Sequence, residues 1–384
     1  MFCERDRNPP HPMKDKHNAF MSMAIRLARK GAKRAAPNPA VGAVLVKNDR
    51  VIAAGYHARF GGPHAERVVL SKARSAAKGA TLYVTLEPCC HYGKTPPCTD
   101  AIIEAGVRRV VIAHRDPIKF VSGKGVAQLR KARIDVVEGV LRDEAAALNL
   151  RYLKRARTGA PYVVLKWAMT LDGKIASASG DSRGISSKQA LKYSHSLRSE
   201  TDAILVGIRT VLADAPQLTC RLVRGRNPVR IVLDGECRLS LDSRLVRSAS
   251  AVPLIVVTTP RAPAARRRAL EARGVEVLTT GGKKGGPGVR GILKKLGNRG
   301  CTSVLVEGGG EVHASFLESG LADEVCVFIA PKIIGGISAK TPVAGKGISR
   351  ISDALRLENP EVKRLGADLL IRGRLRDLSY YLGK

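Results

Sequence analysis

The sequence predicts two unlike α/β domains joined near residue 160, and three observations favour this fold class. Short apolar runs typical of strands alternate with helical patterns along all 384 residues, as in layered α/β domains. The composition, 44% hydrophobic and 26% charged, is that of a globular protein and excludes the disordered and fibrous classes. The segment RTGAP at 157–161 interrupts both periodicities and is the predicted linker between domains 1–157 and 158–384.

The first domain is predicted to alternate helices and strands behind a short extension. Residues 1–12 carry both charge signs and no apolar run, so we expect a disordered extension without a targeting signal, and Met13 is an alternative start. Residues 17–31 have helical spacing, and we expect that helix to stop at Gly31. VGAVLV and VIAAGY, separated by KNDR, predict a hairpin. The remaining predictions are helices at 64–78, at TDAIIEAG, near 124–133 and near 143–156, and strands at 81–86, at 108–114 and at IDVV.

The second domain is predicted to contain seven strands with helices between them. In chain order the strands are YVVLKWAM, DAILVG, VRIVLD, PLIVVT, VEVL, TSVLVEG and DEVCVFIAP, and the helices include 186–198, 262–273 and 311–319. The Gly-rich basic stretch at 281–291 is predicted to be a flexible loop without chemistry. No apolar run reaches about 18 residues, so we expect no transmembrane helix and no membrane partner.

The chain is strongly basic, with a formal net charge of +33. A basic surface of this size can bind nucleic acid or attract small phosphorylated substrates, and a solvated surface without a partner explains it equally well. Because only 4% of the residues are aromatic, we expect no specific nucleic-acid partner. Eight cysteines are too few for a disulfide scaffold, and without a secretion signal we expect a cytoplasmic protein.

Two short segments have the residue types and order of a catalytic zinc site. His64 and Glu66 open a predicted helix, and Cys89 follows a predicted strand, with Cys98 further along. Three nitrogen and sulfur ligands with one open position are typical of catalytic zinc. Zinc deaminases add a carboxylate that transfers protons without binding the metal, in the pattern H-x-E…P-C-x-x-C. The pattern therefore predicts one zinc ion per chain on His64, Cys89 and Cys98, with Glu66 as the catalytic proton shuttle.

The chain departs from that pattern in the longer spacing between its two cysteines. Eight residues separate Cys89 from Cys98, where the pattern has two. Each of these side chains alone would more often be structural, and their combination and order favour a site. Cys90, next to a predicted ligand, is expected to point away from the metal.

At these residues the chain resembles the deaminase half of the bifunctional riboflavin-biosynthesis deaminase–reductase family. The resemblance lies in PNPAVGAVLV, GGPHAE and TLEPCCHYGKTPPCTDAI, and the longer loop between the cysteines is normal in that family. It implies a cytidine-deaminase-like three-layer domain. It also implies a substrate pocket that includes Asn38, His91, Lys94 and Thr95. The family often has DPNP where this chain has DPIK at 116–119, so the contacts of Ile118 are expected to differ.

A glycine-rich turn in the second domain has the arrangement of an anion site. Gly308, Gly309 and Gly310 follow a predicted strand and precede a predicted helix, where backbone N–H groups can face a phosphate. Residues 160–384 contain no good copy of the dinucleotide fingerprint G-x-G-x-x-G. By itself such a turn is more often only a turn.

The second domain resembles the reductase half of the same family along LKWAMTLDGKIASASGDS, DAILVGIRTVLADAPQLTCR and LVEGGGEVHASFL. The resemblance implies a dihydrofolate-reductase-like fold that uses NADPH. It implies that a phosphoribosyl pyrimidine substrate is held by Ser182, Arg198, Leu218, Arg221 and Glu307. It implies that NADPH is held by Ala168, Gly184, Thr210, Asp214, Gly235, Gly309, Gly310 and Glu311. The family commonly has Trp at position 184 and a second Asp at position 215, so contacts there are expected to differ.

These observations predict one chain with two successive activities. The first is zinc-dependent hydrolytic deamination of 2,5-diamino-6-ribosylamino-4(3H)-pyrimidinone 5′-phosphate, and the second is NADPH-dependent reduction of the ribosyl group to ribityl. We also expect a homo-oligomer.

Two alternatives stay open. A nucleic-acid or nucleoside cytosine/adenosine deaminase with an appended basic domain would act on tRNA or single strands, although the cysteine spacing and the second domain argue against it. A basic RNA-binding protein with a structural zinc ion would need a fourth protein ligand, such as Glu66.

Overall fold

A computed structural model describes residues 12–92, 96–118, 121–281 and 286–383, with side chains described from Asp15 onward. The chain forms two compact units, each of them α/β. The first comprises Met1–Arg157 and Leu378–Lys384, and the second comprises Thr158–Asp377. The C-terminal segment therefore belongs to the first unit, whereas the sequence prediction assigned it to the second. The predicted extension at 1–12 lies almost entirely outside the described residues.

The first unit contains a five-stranded sheet with the strand order β2-β1-β3-β4-β5. Its strands are β1 Gly42–Lys47, β2 Arg50–Tyr56, β3 Thr81–Val84, β4 Arg109–Ile112 and β5 Asp135–Glu138. β1 is antiparallel to β2 and β3, whereas β3, β4 and β5 are parallel. The predicted hairpin is confirmed: Asn48 and Asp49 at its turn have φ values of 50° and 58°, as a two-residue type I′ turn requires.

Helices cover both faces of this sheet and make the predicted three layers. They are α1 Pro12–Ala35, α2 Ala65–Ala73, α3 Cys98–Glu104, α4 Lys124–Lys131, α5 Arg142–Leu148 and α6 Leu150–Thr158, with a last helix at Leu378–Leu382. Alternate residues of β1 point to opposite faces. Leu45 packs in the core formed with α2, α3 and α4, and Val44 packs in the core formed with α1 and α5.

Two helix boundaries of this unit differ from the sequence prediction. The first helix does not stop at Gly31 but continues to Ala35. Gly31 instead lets the helix pack closely, since a Cβ there would lie 2.1 Å from the carbonyl oxygen of His57. The single helix predicted near 143–156 is two helices separated at Asn149, whose buried side chain exchanges two hydrogen bonds with the backbone of Ala40.

The second unit contains a nine-stranded sheet with the order β10-β9-β8-β7-β11-β6-β12-β14-β13. The seven predicted strands are all present, and a C-terminal antiparallel hairpin, β13–β14, is additional. The strands are β6 Tyr162–Thr170, β7 Ala203–Gly207, β8 Val229–Leu233, β9 Leu254–Thr258, β10 Glu276–Thr279, β11 Ser303–Val306, β12 Glu324–Ala330, β13 Glu358–Leu365 and β14 Asp368–Arg374.

The order of the parallel strands creates a crevice in the second unit. β11 returns between β6 and β7, and at such a switch point the carboxyl ends of parallel strands leave room for a ligand. The helices of this unit are α7 Lys188–Glu200, α8 Ile208–Asp214, α9 Arg244–Arg247, α10 Ala264–Glu271, α11 Val289–Asn298 and α12 Gly310–Glu318. Because α11 begins at Val289, the end of the segment predicted as a loop at 281–291 is helical. Among the described helices, none has both the length and the apolarity needed to cross a bilayer.

Candidate active sites

The predicted zinc ligands meet where two helices begin beside the end of a strand. His64 is the N-cap residue of α2, and Glu66 lies in the first turn of that helix. Cys98 is the first residue of α3, and Cys89 follows β3. Backbone hydrogen bonds from Cys98 and Thr99 to the carbonyl oxygen of Cys89 hold the cysteine segment against α3. The local fold thus brings together residues that are 34 positions apart.

The donor atoms of these three residues fit a zinc ion. They all lie within 4.8 Å of one another. His64 Nδ1 is 3.2 Å from Cys98 Sγ and 3.5 Å from Cys89 Sγ. One imidazole and two sulfurs are a donor set that zinc prefers, and three protein ligands leave a fourth position open. Glu66 is not a member of this group, which argues against a closed structural site with Glu66 as a fourth ligand.

Electrostatics at this site favour a thiolate and a protonatable carboxyl group. Hydrogen bonds from Cys98 and His64 outweigh burial and hold the pKa of Cys89 well below its usual range. Burial, reinforced by the negative charge of Cys89, raises the pKa of Glu66 to about 7. The thiolate is the form of cysteine that binds metal. A buried carboxyl group with a pKa near 7 can both accept and release a proton near neutral pH.

The metal-ligand cluster borders a cavity of about 390 Å³. Asn38 lines this cavity, and its amide nitrogen is 3.4 Å from His57 Nε2. The other ring nitrogen, Nδ1 of His57, is 3.0 Å from the carbonyl oxygen of Pro63, so both ring nitrogens have partners. His91 and Ile118 also line the cavity. Lys94 and Thr95 lie outside the described residues.

Three further polar residues at this cavity were given no role in the sequence analysis, although Glu87 and Asp116 lie within the segments quoted there. Tyr152 donates a hydrogen bond of 2.8 Å to Asp116 Oδ2, and both side chains line the cavity. The buried carboxylate of Glu87 accepts hydrogen bonds from the backbone N–H groups of Asp116, Gly123 and Val126. Glu87 and Asp116 follow β3 and β4, and an acidic residue after a buried strand is the signal that could have identified both.

The centre of the second site is a partly buried ion pair at the carboxyl end of β11. Arg198 on α7 donates from Nε and Nη2 to the two carboxylate oxygens of Glu307, each at 2.8 Å. Its remaining Nη1 donates to the carbonyl oxygen of Thr219 at 3.1 Å. Lys166 Nζ lies 3.8 Å from Glu307 Oε2. Burial alone would raise the pKa of Glu307, but the charges of Arg198 and Lys166 outweigh it and lower this pKa to about 2.

The other predicted substrate residues of the second unit differ in burial. Leu218 is buried and has a positive φ of 58°, and Arg221 is exposed on the segment that follows it. The backbone N–H of Leu222 donates to the buried His195 Nδ1. Burial and the charges of Arg198 and Arg221 lower the pKa of His195 to about 4. Ser182 donates a hydrogen bond of 3.1 Å to Asp214, a predicted cofactor residue.

The predicted cofactor residues include an uncapped helix start. Gly309 is the N-cap residue of α12, and no side chain caps this helix. The first N–H groups of a helix have no partner within it, so they can bind a phosphate. A Cβ on Gly309 would be 3.5 Å from Thr210 Oγ1, which is ordinary contact, whereas one on Gly310 would be 2.8 Å from the Thr341 carbonyl oxygen. Gly310 is therefore required for packing, and Glu311 is exposed beside it.

The remaining cofactor candidates lie on β6, in the segment between β6 and α7, and after β8. Ala168 is on β6 and pairs with Phe328 of β12. The carbonyl oxygen of Gly184 accepts a hydrogen bond from Lys332. Gly235 follows β8 beside the buried Asp234, whose Oδ1 lies 4.0 Å from Arg238 Nε. The uncapped start of α12 fits a phosphorylated cofactor such as NADPH.

The sequence analysis gave no role to Lys166 and Asp234, although Lys166 lies within the quoted segment LKWAMTLDGKIASASGDS. Lys166 is the one charged residue of β6, and a lone charge in a largely apolar strand is the signal that could have identified it. Asp234 directly follows β8.

Comparisons with known proteins cover both units. The family model described as "RibD C-terminal domain" matches residues 161–371, and the one described as "Cytidine and deoxycytidylate deaminase zinc-binding region" matches residues 14–114. The chain is 42% identical to the riboflavin biosynthesis protein RibD of Actinobacillus pleuropneumoniae, over 92% of this chain and 93% of the relative. It is 45% identical to RibD of Aquifex aeolicus, over 92% of this chain and 96% of the relative.

Solved structures agree with these sequence matches. The structure of Acinetobacter baumannii RibD, form 1, superposes with a TM-score of 0.82 at 37% identity, covering 94% of this chain and 99% of the other. A Thermotoga maritima protein described as a diaminohydroxyphosphoribosylaminopyrimidine deaminase/5-amino-6-(5-phosphoribosylamino)uracil reductase superposes with a TM-score of 0.79 at 42% identity, with the same coverage.

Proposed function

The chain belongs to the RibD family of riboflavin-biosynthesis proteins, and on that premise we propose which of its residues perform each activity. It is a bifunctional enzyme with a zinc-binding deaminase domain and an NADPH-dependent reductase domain. We assign the deaminase to residues 1–157 and the reductase to residues 158–384, with Leu378–Lys384 packed on the deaminase unit. The substrate is the phosphoribosyl pyrimidine named in the Thermotoga maritima enzyme, and the reading as a nucleic-acid deaminase is not supported.

In the deaminase, His64, Cys89 and Cys98 would hold one zinc ion, which when bound supplies the Lewis acidity that makes water nucleophilic near neutral pH. Glu66 is the catalytic carboxyl group. With its pKa near 7 it can take a proton from the attacking water and deliver it to the departing amine. A carboxylate that bound the metal could not carry out both transfers.

The cavity residues orient the pyrimidine. Asn38 and Lys94 are the proposed substrate contacts from the sequence. The side-chain nitrogen Nδ2 of Asn38 is paired with His57. The side-chain oxygen Oδ1 of Asn38 would then be left to accept a hydrogen bond from the pyrimidine ring of the substrate. Asp116 and Tyr152 form a part-buried hydrogen-bonded pair in the cavity lining, which would limit the volume open to the substrate.

In the reductase, Glu307 is an ionised hydrogen-bond acceptor for the ribose hydroxyl groups. Arg198 and Lys166 keep it ionised and fix its direction, so Arg198 acts as a positioning residue. Arg221, exposed beside the crevice, is the proposed contact to the substrate phosphate, with Ser182 and Leu218 along the same crevice. NADPH when bound supplies the hydride, and Ala168, Gly184, Thr210, Asp214, Gly235, Gly309, Gly310 and Glu311 are its proposed contacts.

The observation that carries this assignment is the buried carboxyl group of Glu66 beside a three-residue cluster that excludes it. We expect Glu66→Gln to keep zinc and to lose deamination by about 10²–10⁴-fold, since general acid–base catalysis contributes that much. The reductase step, supplied with deaminated substrate, should continue at the wild-type rate. Loss of zinc, or an equal loss of both activities, would contradict the role given to Glu66.

The proposal also includes the location of the protein and its oligomeric state. All the cysteines that the structure describes are free thiols, which supports a reducing, cytoplasmic location. Large apolar side chains are exposed on the second unit at Ile333, Ile337 and Ile351, which supports a homo-oligomer. Light scattering on the purified chain tests this, and a monomer at micromolar concentration would contradict it.

A further inference from the structure

One exposed face of α1 is entirely basic, and the two activities do not use it. Arg26, Arg29, Lys30, Lys33 and Arg34 are all exposed, at the spacing of one helix face. We call these five residues the basic face. Among the described residues, no carboxylate forms an ion pair with Arg26, Arg29 or Lys30.

The stability of the helix does not explain this charge. Basic residues in the last turn interact favourably with the helix dipole, which accounts for Lys33 and Arg34. Arg26, Arg29 and Lys30 lie before the last turn, where that effect has decayed. Like charges three and four residues apart repel and destabilise a helix. The basic face therefore lowers the stability of α1, which indicates a role outside the helix.

The basic face ends at the mouth of the deaminase cavity. The carbonyl oxygens of Arg34 and Ala35 accept hydrogen bonds of 2.9 Å from the backbone N–H groups of Phe60 and Asn38. Phe60 and Asn38 both line the cavity. The five residues extend back from this mouth by about 12 Å at 1.5 Å per residue. That span is comparable with the distance of about 8 Å over which charge acts at physiological ionic strength.

The cavity itself offers little attraction to a phosphate. Its described lining contains the carboxyl side chains of Glu87 and Asp116 and one arginine, Arg155. We therefore expect basic groups outside the described lining to help attract an anionic substrate to this cavity.

We propose that the basic face of α1 attracts the phosphorylated pyrimidine to the deaminase cavity. This inference rests on the proposed function of that cavity. The face is a long-range electrostatic feature and makes no contact with the reacting atoms. It lowers the KM for a substrate that carries a phosphate, it leaves kcat unchanged, and its effect disappears as salt screens it.

The test is the salt dependence of deamination in the triple variant Arg26→Glu/Arg29→Glu/Lys30→Glu. Glutamates at positions 29 and 30 precede Lys33 and Arg34 by four residues, and these two favourable pairs offset the repulsion of a glutamate at position 26 from the other two, so we expect the helix to be retained. At low salt we expect the KM of the variant for the phosphorylated pyrimidine to be about tenfold above wild type with kcat unchanged, and to converge with wild type at high salt. For the dephosphorylated pyrimidine the two KM values should be equal.

A matched control separates the position of the charge from its amount. The control is the triple variant Lys78→Glu/Arg108→Glu/Lys131→Glu, which makes the same change in net charge. These three exposed residues precede β3, β4 and β5, at the amino ends of the strands, whereas the cavity lies at their carboxyl ends. Its KM should stay near wild type.

Three outcomes would overturn the proposal. They are an unchanged KM in the α1 variant, an equal rise in the control, or inhibition of wild type by a single-stranded oligonucleotide at physiological salt that the variant abolishes. Wild-type turnover in the same assay tests the proposed function separately, so a failure of the basic face is distinguishable from a failure of the enzyme assignment.

Discussion

Glu66 and Glu307 are both buried carboxyl groups, yet their surroundings move their pKa values in opposite directions. Burial and the neighbouring Cys89 raise the pKa of Glu66 to about 7. At Glu307, Arg198 and Lys166 outweigh burial and lower the pKa to about 2. The first group can therefore exchange a proton at neutral pH, and the second remains an acceptor of hydrogen bonds. On the proposed assignment, one chain uses the same residue type for two kinds of chemistry.

The metal-ligand assignment predicts a specific loss of zinc. Cys98→Ser removes one of two thiolates, and a hydroxyl does not replace a thiolate as a zinc ligand. We expect wild-type protein to contain about one zinc per chain by elemental analysis and the variant to contain far less. Cys90→Ser, at the neighbouring cysteine that lies outside the ligand cluster, is the control and should keep its zinc. Full occupancy in Cys98→Ser would refute the ligand set.

The exposed arginine beside the reductase crevice predicts a separation of substrate from cofactor. Arg221→Ala removes a charge-assisted contact to the phosphate worth about 1.5–3 kcal/mol, so substrate affinity should fall roughly tenfold to a hundredfold. NADPH affinity should hardly change. Arg224→Ala, at another exposed arginine of the same segment, is the matched control. Titration calorimetry with each ligand checks this, and a loss of NADPH affinity alone would reverse the assignment of the two ligands.

At the scale of elements, Gly31 joins α1 to β2 through close contact. Gly31→Ala would place a Cβ 2.1 Å from the His57 carbonyl oxygen, and overpacking of this kind costs about 1–3 kcal/mol. We expect deaminase activity to be lost at a lower urea concentration while reductase activity, carried by the other unit, keeps its wild-type midpoint. Gly281→Ala, with no atom within 4 Å of the added Cβ, should change neither midpoint. Equal urea midpoints of deaminase activity for wild type and Gly31→Ala would show that the backbone near His57 shifts to make room for the added Cβ.

The helix start at Gly309 predicts a second effect at this scale. Gly309 has φ −74° and ψ 177°, a conformation that valine also adopts, so Gly309→Val should fold. Its branched side chain would cover the first N–H groups of α12 and should weaken NADPH binding at least about tenfold, the loss of one charge-assisted hydrogen bond. Quenching of NADPH fluorescence measures this. Zinc content and deamination serve as controls in the same sample. Unchanged binding would place the cofactor elsewhere.

Elements with local signals were predicted from the sequence, and those set by distant contacts were not. The twelve strands from β1 to β12 are largely apolar runs, and the zinc ligands lie in two short ordered segments, so both are visible in sequence. The break between α5 and α6 depends on two hydrogen bonds between the Asn149 side chain and the backbone of Ala40, 109 positions away. β13 is exposed over almost its whole length and has no apolar alternation to reveal it. The pairing of Arg198 with Glu307 likewise joins residues 109 positions apart.

At the scale of the whole molecule, two units of different topology each carry one activity. The first has a mixed five-stranded sheet with its metal-ligand cluster at the starts of α2 and α3. The second has a largely parallel nine-stranded sheet with its crevice at the switch point around β11. A net charge of +33 suits a protein whose substrate and cofactor both carry phosphate, since it raises the local concentration of anions.

The measurement that tests the central claim most directly is a two-step assay on the intact chain. Purified protein is incubated with the phosphoribosyl diaminopyrimidinone, first without NADPH and then with it, and the products are separated by chromatography. We predict that the deaminated aminouracil phosphate accumulates with release of ammonia in the absence of NADPH, and that adding NADPH converts it to the ribityl product. Failure to release ammonia from this substrate, or NADPH oxidation without conversion of the aminouracil, would contradict the account.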